Sequence, residues 1–241
     1  MTRRFNWSTL NRKDLIEQFW ALHPKVTNTE ITILKFHNTI TRYLKKYLPI
    51  KVARKYDKKV STNWIYVGGT YYSDLDQEGQ KCIELVFVYS SLQDVIKIPL
   101  KRYKNICYVM ADTILHELMH MHQYRSRKFK ILPDYASTAS KTKKRQEQEY
   151  LGNSDEIDAY GFNIACELLS KFKNNTEQVI QYLNEDQKGL RRKHNSWRMY
   201  LKAFDHDHDH PIIRRTKKKV IKYLPQAVIG KPYRNKDWIN R

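Results

Sequence analysis

Between Lys101 and Arg127 the apolar residues Cys107, Met110, Ile114, Leu118 and Met121 recur at steps of three or four. A 3.6-residue period held over so long a stretch predicts one helix with a continuous apolar side. It is the strongest pattern in the chain, and the remaining elements must be arranged so that this side is covered. Upstream, residues 12–22 and 28–47 also carry helical spacing, the second with Ile31, Leu34, Ile40, Tyr43, Leu44 and Tyr47 on one side, and Pro24 and Pro49 punctuate their ends. Between these helices and the long one, residues 63–67, 70–72 and 81–89 read as short strands separated by tight turns, one of them at Gly68-Gly69. The stretch from Lys51 to Lys59, ahead of these strands, is strongly basic.

Beyond Pro133 a polar, basic segment from Ala136 to Gln148 reads as a mobile surface loop. A helix is expected from Asn153 or Ser154 to about Lys171, because Ile157, Tyr160, Ile164 and Leu168 are helically spaced. One or two helices over residues 176–204 and a basic helix from about Ile213 to Leu224 follow. Helices, a small antiparallel sheet, then helices again predict an α+β fold, mainly helical, with the sheet preceding the long helix. A length of 241 residues fits a single domain, with N-terminal helices over 12–47, a central region over 60–171 and a basic C-terminal helical extension over 176–241.

Within the long helix lies His116-Glu117-Leu118-Met119-His120, an H-E-x-x-H sequence. With nine His and eleven Glu in the chain, about 0.02 accidental matches are expected. Four residues make slightly more than one helical turn, so both imidazoles project from the same side and can bind one Zn²⁺. Glu117 lies about 100° further round, near such an ion without ligating it, where it can take a proton from an attacking water. Val109, Thr113, Gln123 and Tyr124 share the histidine side, roughly opposite Cys107, Ile114 and Leu118.

This sequence resembles the zincin metallopeptidases, whose active-site helix carries H-E-x-x-H. The metzincin extension of the motif is absent, since Gln123 and Ser126 stand where its glycine and third histidine would be. The resemblance is to gluzincin-like enzymes, in which a carboxylate on a later helix completes the ligand set. It implies a zincin-like domain, Zn²⁺ as cofactor, and Glu156 in Asp155-Glu156-Ile157-Asp158-Ala159-Tyr160 as third ligand. Over about residues 105–170 the chain is similar to small proteins assigned as metallopeptidases in tailed bacteriophages. Function follows as hydrolysis of peptide bonds in a protein or peptide substrate, with Glu117 as general base and Tyr160, Tyr150, Tyr124 or His194 stabilising the oxyanion.

The residues alone leave alternatives. With Asn153 as N-cap, Glu156 falls at the third helical position and fits a capping-box role, while Asp155, Asp158, Glu149 and His122 can replace it as ligand. His122 points away from the pair on a helix and suits packing or surface. From Asp205 to His210 acid and histidine alternate, so an extended chain would put His206, His208 and His210 on one side as a metal-binding loop, whereas a solvated turn closed by Pro211 is the plainer reading.

Charge is the remaining global feature. Forty-five Lys and Arg against 25 Asp and Glu give a formal +20, which implies contact with nucleic acid or another polyanion. The rival function is therefore a basic nucleic-acid-binding or virion structural protein on the same scaffold, without hydrolysis. Three widely spaced Cys exclude a zinc ribbon or a disulfide framework and suit a reducing compartment. A polar segment follows the basic N-terminus where a signal peptide needs an apolar one, and no stretch is long enough to span a bilayer. The expected location is cytoplasmic, in a host cell if phage-encoded, or the virion.

Overall fold

The computed structural model describes residues 10–131, 142–186 and 195–228. These fall into two compact units, residues 10–125 and 126–228, and the fold is α+β. No helix among the described residues is long and apolar enough to cross a membrane.

The first unit begins with α1 (Arg12–Trp20) and the single-turn α2 (His23–Val26), followed by β1 (Glu30–Thr32) and α3 (Ile33–Tyr47). Asn11 caps α1 by accepting the Asp14 N–H at 2.9 Å, and Thr32 caps α3 through Lys35. Then come β2 (Lys51–Asp57), β3 (Ile65–Tyr71), α4 (Ser73–Gln77), β4 (Ile83–Ser90), β5 (Val95–Lys97) and α5 (Leu100–Ser126). In β4 the alternate residues Ile83, Leu85, Phe87 and Tyr89 are fully buried, as a strand with one covered face requires. Phe36 and His37 of α3 meet Tyr89 and Phe87 edge-on, with ring centroids 6.3 and 5.7 Å apart. Helix α5 is tied to α1 by the fork of Arg12 on Asp112 at 2.6 and 2.9 Å and by the Tyr103 hydroxyl, which donates to the Phe19 carbonyl at 2.9 Å.

Three sequence expectations change in this unit. The basic segment after Pro49 is strand β2, paired parallel to β4, so the sheet of order β2-β4-β3 is mixed. Gly68-Gly69 is not a turn: β3 runs through it in continuous antiparallel register with β4. The start of the expected second helix is instead β1, paired with β5 some 65 residues later in a separate two-stranded sheet.

The second unit is helical: α6 (Lys143–Gly152), α7 (Ser154–Lys171), α8 (Thr176–Asn184), α9 (Ser196–Ala203) and α10 (Pro211–Val228). Part of the expected surface loop is therefore helix α6, capped by Thr142, while residues 136–141 of that loop, His194 and the tail containing Gly230 and Pro232 lie outside the described residues. Helix α7 packs closely on α10, because a Cβ on Gly161 would stand 2.7 Å from Lys219 Cβ. Phe162 meets Tyr223 edge-on at 5.7 Å. Glu167 accepts the Ser196 N–H at 3.0 Å and its hydroxyl at 2.6 Å, which anchors the first turn of α9.

Candidate metal centre

Helix α5 is covered on all sides around the motif. Ile114 to Met121 are all buried, with His116, Glu117 and His120 at 7, 7 and 8% exposure. The two imidazoles project from successive turns, as the four-residue spacing requires, and their Nε2 atoms lie 3.1 Å apart. Two imidazole nitrogens on one tetrahedral Zn²⁺, each about 2.0–2.1 Å from it, stand about 3.3 Å apart, so the observed separation suits a shared ion. His120 Nδ1 lies 2.9 Å from Gln123 Oε1. An amide oxygen only accepts, so Nδ1 carries the proton and the Nε2 lone pair faces His116.

Glu117 stands beside the histidines, against β3. A Cβ on Gly69 would come within 2.8 Å of Glu117 Cγ and Oε1 and 2.5 Å of Thr113 Cγ2. The glycine thus lets an edge strand run directly over the motif helix. Tyr124 stacks at a tilt on Tyr71 at 5.5 Å, and His122 is half-buried, with burial and then Arg125 holding its pKa down.

Glu156 sits in the first turn of α7 and is 6% exposed. The capping-box reading requires its carboxylate to receive the Asn153 N–H, but that N–H donates to the Tyr150 carbonyl at 3.1 Å. Asn153 itself caps the helix by accepting from Asp155 N at 2.8 Å. The neighbouring acids are engaged elsewhere: Asp155 with Arg127 at 2.7 Å, Asp158 with Lys219 and with the Tyr223 hydroxyl at 2.8 Å, and Glu149 with Arg145 at 3.0 Å. Around Glu156 stand three tyrosines. Tyr160 lies between Tyr150 and Tyr200, at ring distances of 6.4 and 5.7 Å. Half of Tyr150 is exposed; burial of its phenol, then the Glu156 charge, then Tyr160, raise its pKa. Tyr200 is wholly buried, and burial followed by the Glu156 charge pushes its phenol well up.

His116, His120 and Glu156 are all buried, and each offers one ligand atom within 4.8 Å of the others. Together these three residues could hold a metal ion. They are the three ligands read from the motif and its resemblance. Sequence reading missed Gln123 as the group that orients His120, although its i+3 spacing from His120 signals the contact. It also missed Tyr200, for which no local pattern gives a signal.

The Asp205–His210 run is a turn, not an extended ligand strand. Asp205 and His206 adopt left-handed conformations with φ of 56 and 61°, and Asp205 pairs with Lys144 at 2.7 Å. His208 meets Trp197 edge-on at 6.3 Å, and His210 Nδ1 accepts the Ile212 N–H at 3.2 Å at the start of α10. Among the described residues, no group able to hold a metal ion forms there. Comparison with known proteins gives no match, either to a family model or to a curated protein or solved structure.

Proposed function

We propose that this protein is a zinc-dependent peptidase of gluzincin-like type, with His116, His120 and Glu156 as ligands. The observation that carries the reading is the convergence of two imidazoles and one carboxylate, all buried, within 4.8 Å. Two nitrogen donors and one oxygen donor are the set by which catalytic zinc sites keep a position open, and no thiolate is included that would close the site as a structural centre. Bound there, zinc would supply the Lewis acidity that activates water and polarises a carbonyl.

The chain's own residues would do the rest. Gln123 holds the His120 tautomer. Glu117 accepts the proton of the attacking water and delivers it to the departing amine. Tyr160 donates a hydrogen bond to the oxygen on which charge develops. Because β3 is an edge strand running over Glu117, an extended peptide can pair with it and bring its carbonyl to the base. Three buried free thiols suit a reducing compartment, in keeping with a host cytoplasm or a virion as the place of work.

Two measurements on purified protein test the reading. The wild-type chain should carry about one zinc, and Glu117→Gln should keep that zinc while cleaving a mixed peptide library about 10²- to 10⁴-fold more slowly. A chain that neither carries nor rebinds zinc, or a Glu117→Gln variant as active as the wild type, would overturn it.

A further inference from the structure

Among the described residues, Phe36 and His37 of α3 pack on the inner face of the sheet β2-β4-β3, while its outer face is lined mostly by half-buried and exposed residues. Register places Lys55, Val88 and Tyr66 side by side on the outer face, then Ala53, Val86 and Gly68, then Lys51, Glu84 and Thr70. Val86 and Val88 are only half-buried, unlike their neighbours Leu85, Phe87 and Tyr89. A Cβ added to Gly68 would meet nothing within 4 Å, so the middle of this face is open space.

Two aromatic rings stand on it. Trp64, just ahead of β3, and Tyr66 are 50 and 57% exposed, although burying either ring is worth on the order of kilocalories. Trp64 stands in the turn that precedes β3, where its N–H donates to the Ser61 carbonyl at 3.0 Å, and Tyr66 stands on the outer face of β3 itself. The Arg102 guanidinium lies 4.9 Å over the indole. Flanking the rings, Lys55, Lys58 and Lys59 are exposed, and none of them is engaged in an ion pair among the described residues. Two carboxylates share the face: Glu84 accepts the Tyr72 hydroxyl at 2.9 Å, and Asp57 accepts the Lys59 backbone N–H at 2.8 Å.

Open aromatic rings beside free ammonium groups match the two parts of a nucleotide: a base with a π face and a phosphate with a negative charge. The exposed rings select the form of the partner: in a duplex each base is stacked on its neighbours, whereas the bases of a single strand can turn a π face to the protein. Lys55 lies two strand spacings from Tyr66, roughly 9.5 Å, within which a base on the ring and its phosphate at the lysine fit. We propose that the outer face of β2-β4-β3 is a binding platform for single-stranded nucleic acid, with Trp64 and Tyr66 stacking on bases and Lys55, Lys58, Lys59 and Arg102 neutralising phosphates. The platform is independent of the metal centre and would bring a chain of net charge +20 onto nucleic-acid-bound protein.

The test is fluorescence anisotropy of a labelled dT20 oligonucleotide with the full chain, from low to physiological salt. Tyr66→Ala and Trp64→Ala should each weaken binding about 5- to 100-fold. The triple change Lys55→Ala, Lys58→Ala, Lys59→Ala should weaken it further and reduce the slope of log affinity against log salt by about 2. All five residues are at the surface, and thermal melting verifies that each variant folds. Gly68→Val, which fills the open space without touching a charge, should also weaken binding. As a control of equal charge, Arg214→Ala, Lys218→Ala, Lys222→Ala on the exposed side of α10 should leave affinity within about threefold. Absence of binding at low salt, tighter binding to the duplex, an unchanged Tyr66→Ala variant, or an equal loss from the α10 triple would overturn the proposal.

Discussion

Two histidine-bearing segments of this chain, residues 116–120 on α5 and residues 205–210 before α10, differ in whether their imidazoles converge. The second is richer in the right residue types, with three imidazoles and three carboxylates in six positions. Yet the first brings two Nε2 atoms to 3.1 Å from each other, with one ring held by Gln123. A helix fixes the direction of each side chain by its period, and burial prevents the rings from turning out to solvent. In the turn, left-handed residues at Asp205 and His206 break the alternation that an extended strand would impose, and His210 is engaged in starting a helix. Composition offers donors; backbone regularity makes them converge.

The largest effect that tests this contrast is loss of metal. His120→Ala should lower zinc affinity by more than about 100-fold, since it removes one of three ligands and the partner of Gln123. Replacing His206, His208 and His210 together by alanine should leave zinc stoichiometry as in the wild type. Competition with a chromophoric chelator reads both, and equal zinc loss in the two variants would break the distinction. Next in size is Gln123→Ala, which keeps every ligand but frees the His120 tautomer; about 10- to 100-fold weaker zinc binding is expected.

A smaller effect separates adjacent glycines. Gly69→Ala drives a methyl against Thr113 and Glu117 and should cost about 1–3 kcal/mol of stability, with lowered activity because Glu117 is displaced. Gly68→Ala enters open space and should change stability by less than about 0.5 kcal/mol. Chemical denaturation of the two variants gives the difference, and equal losses would remove the role assigned to Gly69.

The last effect concerns His37, an imidazole buried outside the metal group. Burial, then Arg54 and Lys45, lower the His37 pKa to about 4, while the unfolded chain titrates near 6.5. On acidification the unfolded state binds the proton first, so stability falls from about pH 6.5 to pH 4, by at most about 1.4 kcal/mol per unit, and this group contributes no further change below that. His37→Gln should flatten that part of the melting-temperature profile.

The contrast between regular and irregular backbone also accounts for what was legible in the sequence. Helices α5 and α7 could be read because each repeats apolar residues over many turns, and with them came His116, Glu117 and His120. Glu156 was legible as a candidate, but choosing it over Asp155, Asp158 and Glu149 required seeing which acids Arg127, Lys219 and Arg145 occupy. Strand β2 was hidden because Lys51, Arg54 and Lys55 are polar on both faces of an edge, and α6 because Lys143 to Glu149 has no apolar period. The three-residue strands β1 and β5 are set by each other across 65 residues, a pairing without local signal. In β3, Gly68-Gly69 resembled a turn, but only Gly69 answers a need for bare backbone over α5, and a Cβ on Gly68 would meet nothing within 4 Å.

The most direct test of the centre is X-ray absorption at the zinc edge on the loaded full-length protein. Two imidazole nitrogens and carboxylate oxygen at about 2.0–2.2 Å are expected, with one imidazole lost in His120→Ala and carboxylate scattering reduced in Glu156→Ala. A sulfur shell near 2.3 Å, from any of the free thiols Cys82, Cys107 and Cys166, or a spectrum unchanged in both variants, would contradict the assignment of His116, His120 and Glu156 as the metal site.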